Sequence, residues 1–539
     1  MPHKAVSITL FALLAFLFAA CGLQVGEPAV ETEPVSTTGA ETEAGAEDAS
    51  ASIAPVSEAV IVVESVEEEA VAEPAAEPDV FVPLVQATAA APQDTFFEDY
   101  GVNPYVLTGV DHLSTFALDV DTASYSIARR YINEGLQPPP EAIRVEEFVN
   151  SFGQGYAYPS DAAFAIIADG APSPWHGDGT YFLRIGVQGY RVAEEERAPA
   201  ALTFVIDVSG SMAEENRLEL VKQSLQLLVE RMRGDDTIAI VVYGTNARVV
   251  LPPTSGADRA TILSAIYALQ PEGSTNLEAG LRLGYEIANE AYKEGGINRV
   301  ILASDGVANV GATGPDAIVE QIRSYADAGI TLTTIGFGLG NFNDVMMEQL
   351  ANDGDGVYAY VDSLDEAETL FVDNLTSTLQ VIARDAKIQV EFNPEMVQQY
   401  RLIGYENRAV ADEDFRNDSV DAGEIGAGHT AVAVYAVQFL PEAQGHIATI
   451  NLRWQDPDTH AVQEINHTFS TADLSPSFEE APLRYQLAVV VSQFAEVLRG
   501  SVWTEGVSRD DLRVRSERLA AQLEDPAVAE LASLIARNN

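Results

Sequence analysis

Residues 202–211 read LTFVIDVSGS, and this stretch decides the fold. Its first part is almost entirely apolar, and Asp207 ends the apolar run. A short, continuous apolar run indicates a strand that is buried on both faces, as the strands of parallel sheets are. Ser209 and Ser211 follow directly, so we expect this strand to end in a loop that carries hydroxyl groups.

Strands and helices alternate strictly along residues 200–383. Further strands are predicted at Thr237–Tyr243, Arg248–Leu251, Arg299–Ala303, Thr331–Phe337 and Gly356–Val361. Helices are predicted at Arg217–Arg233, Arg259–Leu269, Leu277–Tyr292, Pro315–Ala328, Val345–Ala351 and Asp365–Leu379. This alternation predicts an α/β fold with a doubly wound, Rossmann-like parallel sheet.

Two segments of different character flank the α/β segment. Residues 96–192 mix short helical and strand-like patterns, and we predict a small α+β unit there. Residues 384–539 begin with alternating, strand-like sequence and end in three helical segments, so we predict a β-rich domain with terminal helices. The predicted chain therefore has three folded units, at 96–192, 200–383 and 384–539.

The N-terminus has the features of an export signal. Lys4 is followed by an uncharged apolar run that ends at Ala20 and is short for a membrane span. Cys21 follows as the only cysteine of the chain, and the small residues before it resemble the lipobox of bacterial lipoproteins. The resemblance implies that residues 1–21 are a lipoprotein signal peptide and that a lipid on Cys21 holds the protein, outside the cytoplasm, on the cell membrane or the outer membrane. An uncleaved signal anchor is the alternative.

Acidic residues dominate the chain. Residues 22–95 contain no lysine or arginine and are rich in alanine, glutamate and proline, so we predict a disordered acidic linker. The whole chain of 539 residues has a formal net charge of −52. A surface of this sign repels phosphate backbones, and nucleic acid is therefore not an expected partner.

Oxygen ligands gather at the predicted carboxyl ends of the strands, where ligands bind in doubly wound folds. Asp207, Ser209 and Ser211 follow the first strand, Thr275 lies in the loop before a helix, and Asp305 ends a later strand. Hydroxyl and carboxylate oxygens are hard donors, which suit Mg²⁺ or Mn²⁺ and do not suit zinc. The sequence therefore predicts a metal site at this edge of the sheet.

The same five residues resemble the metal-ion-dependent adhesion site (MIDAS) of von Willebrand factor type A (VWA) domains. The resemblance implies that Ser209, Ser211 and Thr275 contact the metal, directly or through water, while Asp207 and Asp305 hold coordinated waters. Neutral hydroxyl ligands leave the metal strongly positive with one position open. A carboxylate fills that position best, so a protein partner that presents Asp or Glu is expected.

Segments outside the α/β part resemble a bacterial family of VWA lipoproteins. Residues 116–125 (FALDVDTASY), 144–150 (RVEEFVN) and 488–501 (AVVVSQFAEVLRGS) are similar to that family, in which a VWA domain precedes a β-rich domain of unknown function. The resemblance covers about residues 100 to 539 and implies the fold and the anchoring.

Catalytic motifs are missing from the sequence. It has no H-E-x-x-H, no G-x-S-x-G and no P-loop, so we do not expect an enzyme. The acidic stretch 412–421 lacks the spacing of an EF-hand and is interpreted as a solvated loop. Two alternatives to the binding function stay open: a structural envelope protein whose metal only stabilises loops, and a hydrolase with an unrecognised site in the β-rich part.

Overall fold

The computed structural model describes residues 95–538, apart from residues 119, 307–314, 339–341 and 443. The predicted signal peptide, Cys21 and all but the last residue of the predicted linker lie outside this range. Among the described residues, no helix is both long enough and apolar enough to span a membrane.

The described residues contain strands and helices with the following bounds. The strands are β1 (Val106–Leu107), β2 (Leu113–Ala117), β3 (Phe164–Pro172), β4 (Thr180–Gly189), β5 (Ala200–Asp207), β6 (Thr237–Tyr243), β7 (Ala247–Ser255), β8 (Ile297–Ser304), β9 (Thr331–Gly336), β10 (Tyr358–Tyr360), β11 (Val381–Phe392), β12 (Val397–Ile403), β13 (Gly423–Gly426), β14 (Thr430–Phe439), β15 (His446–Gln455) and β16 (Val462–Ser470). The helices are α1 (Ala123–Asn133), α2 (Val145–Asn150), α3 (Arg217–Arg231), α4 (Arg259–Tyr267), α5 (Leu277–Glu290), α6 (Pro315–Asp327), α7 (Asp344–Asp353), α8 (Leu364–Glu368), α9 (Leu375–Leu379), α10 (Leu483–Leu498), α11 (Arg509–Leu523) and α12 (Pro526–Arg537).

The α/β part is built on a sheet of order β10-β9-β8-β5-β6-β7. All neighbouring strands in it are parallel except β7, which runs antiparallel to β6 at the edge. Every residue of the central strand β5 is buried, because helices cover both faces of the sheet: α3, α4 and α9 on one face, and α5, α6 and α7 on the other. The predicted doubly wound α/β fold is confirmed.

The two flanking segments share their sheets. One sheet has the order β1-β12-β14-β4-β3, and the other has the order β13-β11-β15-β16 with β2 also paired to β11. Side chains from both sheets fill one apolar core, so they form a β-sandwich. The prediction from sequence divides 96–192 and 384–539 into separate units. In the structure, strands of the two segments pair with one another and form common sheets. The prediction differs because local patterns indicate strands but not their partners.

Helices from both flanking segments form a further core against the sandwich. Apolar side chains of α1 and α2 pack with those of α10, α11 and α12 in one cluster. The opposite side of α1, including Ala123 and Ile127, packs instead on the face of the α/β sheet that α5 covers. Helix α1 therefore joins the α/β part to the helical layer.

The α/β part is inserted between β4 and β11 of the sandwich. Its two ends lie side by side, since the backbone N–H of Ala198 donates to Oε1 of Gln380 at 3.3 Å. The carbonyl of Gln380 in turn accepts from the N–H of Ala427 in the sandwich at 2.8 Å. The chain thus leaves the sandwich and returns to it at one place.

The last helix of the α/β part differs from its predicted form. Residues 365–379, expected as one helix, contain α8, a π-helical turn at Thr369–Asp373 and α9. The N–H of Asn374 donates to the carbonyl of Thr369 at 2.9 Å, which closes the wider turn. Strand β11 starts two residues after α9 ends, so this interrupted helix leads directly into the sandwich.

Candidate metal site at the carboxyl edge of the sheet

The candidate site begins with two carboxylates on adjacent strands. Asp207 is the last residue of β5, and Asp305 follows β8, which pairs with β5 in parallel. Both residues are 0% exposed. Asp207 accepts hydrogen bonds from the N–H of Ser209 at 2.8 Å and from the hydroxyl of Ser304 at 3.1 Å. Parallel pairing therefore brings the two acids to the same edge, as the sequence predicts.

The two serine hydroxyls of the β5 loop face each other. Oγ of Ser209 lies 3.1 Å from Oγ of Ser211, within hydrogen-bond distance. Adjacent oxygen ligands of an octahedral Mg²⁺, with bonds of about 2.0–2.1 Å, are about 2.9 Å apart. The hydroxyl pair thus has the separation that two neighbouring ligands of one magnesium ion need.

The loop that carries Thr275 is fastened to the β5 loop by its backbone. The N–H of Gly210 donates to the carbonyl of Gly273 at 3.2 Å, and Thr275 itself is only 9% exposed. Gly273 has φ +73°, and a Cβ there would lie 2.4 Å from Oγ1 of Thr245, so only glycine fits this close approach. Asn276 then begins α5 by accepting from the N–H of Ala279 at 3.1 Å.

The candidate site also contains Arg217, which was not predicted from the sequence. This side chain, 3% exposed, begins α3, and its Nη1 donates to Oδ2 of Asp305 at 2.9 Å and to the carbonyl of Ser211 at 3.4 Å. The other carboxylate oxygen of Asp305, Oδ1, is buried and has no hydrogen-bond partner among the described residues. Arg217 therefore orients Asp305 through one oxygen and leaves the other available.

The electrostatics of the site favour a cation. Burial and, to a smaller extent, repulsion from the neighbouring Asp305 carboxylate together raise the pKa of Asp207 to about 6, although hydrogen bonds from Ser209 and Ser304 lower it. The guanidinium of Arg217 pairs with Asp305, and Asp207 forms no ion pair in the described part of the chain, so a negative charge stays uncompensated. The residues present fit a hard divalent cation: two facing hydroxyls, a nearby threonine loop, and a buried carboxylate oxygen that lacks a partner.

The parallel sheet and the loops at its carboxyl edge define the class of protein, a VWA-domain protein. A family model described as von Willebrand factor type A domain matches residues 201–373. Domains of this class serve interactions between proteins. Two further family models match the flanks, "von Willebrand factor" at residues 91–182 and "Uncharacterized protein YfbK, C-terminal" at residues 377–445.

The chain belongs to the bacterial VWA family that includes Uncharacterized protein YfbK of Escherichia coli (strain K12). It is 36% identical to that protein over 464 residues, which cover 81% of this chain and 79% of the relative. The predicted membership of a bacterial VWA family is confirmed.

More distant similarity is confined to part of the chain. Human inter-alpha-trypsin inhibitor heavy chain H3 is 26% identical over 272 residues, which cover 48% of this chain and 28% of that protein. A solved VWA structure from Catenulispora acidiphila is 15% identical and covers 64% of this chain and 80% of its own, with a TM-score of 0.39.

Proposed function

We propose that the protein is a membrane-anchored binding protein outside the cytoplasm, which holds Mg²⁺ or Mn²⁺ at the candidate site and uses it to bind an acidic group on a protein partner. Asp207, Ser209, Ser211, Thr275 and Asp305 would hold the ion. When bound, the ion would supply a positive centre with one position open to a carboxylate oxygen. The proposal assigns no catalytic role to the site.

The observation that carries this proposal is the unpartnered Oδ1 of Asp305, at the same edge of the sheet as the hydroxyl pair. A buried carboxylate oxygen without a hydrogen bond is unfavourable by about 1–3 kcal/mol, more when charged. Arg217 fixes the carboxylate by its other oxygen, so Oδ1 is positioned in advance rather than by the ion. Such preorganisation supports a site that binds a ligand over one in which the acids only fasten loops.

Removal of the Asp207 carboxylate tests the metal part of the proposal. We expect Asp207→Ala to weaken Mg²⁺ binding about 10–100-fold, because the residue orients the Ser209 loop and supports the ligand shell. Calorimetric titration of the full chain with Mg²⁺ measures this. The exposed acid Glu286 on α5 provides the matched control, and Glu286→Ala should bind Mg²⁺ like the unaltered chain. Unchanged Mg²⁺ binding in Asp207→Ala would refute the site.

Short peptides test the recognition of a carboxylate. Fluorescent peptides with one Asp or Glu should bind the full chain in Mg²⁺ and dissociate in EDTA, whereas the same peptides with Asn or Gln should not bind. The Asp207→Ala variant should behave as the unaltered chain does in EDTA. If the variant and the chelator change only the thermal stability, and no acidic peptide binds, the ion would be a structural element of the loops.

Lipid labelling tests the anchor. Cys21 is the only thiol of the chain, so Cys21→Ser should abolish palmitate labelling and release the protein from the membrane fraction or leave it as a precursor. Cell fractionation with radiolabelled palmitate measures both. Labelling that persists in Cys21→Ser would contradict the lipoprotein interpretation.

A further inference from the structure

A second group of acids lies at the opposite edge of the α/β sheet. Asp355 stands just before β10, which is the amino end of a parallel strand, and there it meets Asp421 and Glu424 of the sandwich. Each of these three residues offers one carboxylate oxygen, and the three oxygens lie within 4.8 Å of one another. Asp355 and Asp421 line a cavity of about 360 Å³. We propose that this group is a calcium site, separate from the candidate MIDAS.

Glu424 distinguishes the group from a solvated acidic patch. Its side chain is 7% exposed, yet in the described part of the chain it makes no hydrogen bond and no ion pair. Burial raises the pKa of this carboxyl group well above its ordinary value, and repulsion from Asp421 and Asp385 raises it further. A buried acid without a partner is costly unless a cation compensates it.

Asp353 contributes a further buried carboxylate to this region. Oδ1 of Asp353 accepts both hydrogen bonds from Arg323, at 2.7 and 3.1 Å. Its Oδ2 is buried without a partner among the described residues, and the side chain lines the same cavity. The cavity therefore meets one buried carboxylate oxygen, Oδ2 of Asp353, that no protein group of the described residues satisfies.

The charges around the cavity do not balance. Six carboxylates line the cavity beside two guanidinium groups. Asp353 pairs with Arg323, Asp355 with Arg384 and Asp418 with Arg453, whereas three acids have no ion pair in the described structure, namely Asp327, Asp385 and Asp421. Two other cations lie near Glu424, and they differ in their partners. Arg408 pairs with Asp121 and Glu348. Arg299 donates only to the neutral groups of Thr331, Thr333 and Thr378, and Glu424 is the acid that acts on its charge.

The donor set favours calcium. Calcium accepts about six to eight oxygen ligands in flexible geometry, whereas magnesium demands a near-ideal octahedron and keeps several of its waters. Three carboxylates from separate segments of the chain, whose oxygens lie within 4.8 Å of one another, suit the more tolerant ion. The group contains no histidine and no cysteine among the described residues, which disfavours zinc.

The ligands come from separate segments of the chain, which is why the sequence did not reveal them. The stretch 412–421 was interpreted as a solvated loop because it lacks the spacing of an EF-hand. Only its last residue, Asp421, takes part, together with Glu424 on β13 and Asp355 after α7. An ion here would connect the α/β part to the sandwich.

Calcium binding to the full chain tests the proposal, with Asp207→Ala as background so that the candidate MIDAS does not contribute. Calorimetry with Ca²⁺ should show one site. Its Kd should be about 10⁻⁴–10⁻³ M, the range of extracellular calcium modules. Glu424→Gln and Asp421→Asn should each raise that Kd about tenfold or more. Glu395→Gln, which removes an exposed acid elsewhere in the sandwich, should leave the Kd unchanged.

Thermal unfolding separates ion binding from a merely structural role of Glu424. Ca²⁺ should raise the Tm of the background chain and of Glu395→Gln but not that of Glu424→Gln. Without Ca²⁺, Glu424→Gln should be at least as stable as the background, because it removes a buried charge. The absence of Ca²⁺ binding at millimolar concentration, or equal binding in Glu424→Gln and Asp421→Asn, would overturn the site. Equal affinity for Mg²⁺ would overturn its assignment to calcium.

Discussion

Replacing Arg144 with methionine is expected to lower the free energy of unfolding by about 3–5 kcal/mol. Arg144 is 5% exposed and lies just before α2. Its guanidinium pairs with Glu147, with Asp344 at 2.6 Å and with Glu348 at 3.7 Å. Methionine keeps much of the length of the side chain but leaves these buried carboxylates without their cation, and removing one partner of a buried ion pair is strongly destabilising.

Denaturant unfolding followed by circular dichroism measures the effect of Arg144→Met. The control is Arg282→Met on α5, which removes an exposed pair with Glu286 and should change the free energy by less than about 0.5 kcal/mol. Adding Asp344→Asn to Arg144→Met should recover part of the loss, since it removes one of the uncompensated charges. If Arg144→Met lowers the free energy of unfolding no more than Arg282→Met does, then Arg144 and its acidic partners do not hold α7 to the N-terminal segment.

The second large effect is expected for Gly426→Ala, a loss of about 3 kcal/mol. A Cβ on Gly426 of β13 would lie 1.8 Å from the carbonyl oxygen of Ser377 in α9. The obstacle is backbone, so no rotation of a side chain can relieve it, and β13 and α9 would have to separate. This contact fixes the end of the α/β part on the sandwich.

Thermal and denaturant unfolding of Gly426→Ala provide the measurement. Gly153→Ala is the matched control, because a Cβ at Gly153 meets no atom within 4 Å and its φ is not in the left-handed region. That control should be neutral or slightly stabilising, since alanine reduces the freedom of the unfolded chain. Equal stability of the two variants would mean that α9 and β13 can move apart at little cost.

Local sequence patterns predicted single elements well. The strand at 237–243 has the predicted ends, because it is a continuous apolar run with polar turn residues on both sides. Strand β13 was missed because its four residues, Gly423–Gly426, include two glycines and show no alternation. Its place is determined by pairing with β11, which comes from elsewhere in the chain.

Pairing between distant strands could not be predicted from one sequence. Strand β4 pairs with β14, although the whole α/β part lies between them in the sequence. No local feature of either strand indicates its partner. For the same reason the sequence divided the sandwich into two units. The position of Asp207 and Asp305 at one edge of the sheet could be predicted, since the carboxyl ends of parallel strands meet there.

The need of Arg217 for an acidic partner could have been recognised from the sequence. An arginine at the start of a helix opposes the helix dipole, whose amino end favours negative charge. Such a residue therefore needs an acidic partner, and the structure shows Asp305 in that role. By contrast, the π-helical turn before α9 has no counterpart in the residue pattern of 365–379.

The insertion of the α/β part between β4 and β11 has a consequence for biosynthesis. Thr430 of β14 hydrogen-bonds Gln188 of β4 across 242 residues, so the first strands of the sandwich leave the ribosome long before their partner. Closing so long a flexible loop is entropically unfavourable, but folding of the inserted part first brings its two ends together and shortens the loop. The sandwich should thus be completed last, and until then the open edge of β4 is a site for misassembly that a chaperone would have to protect.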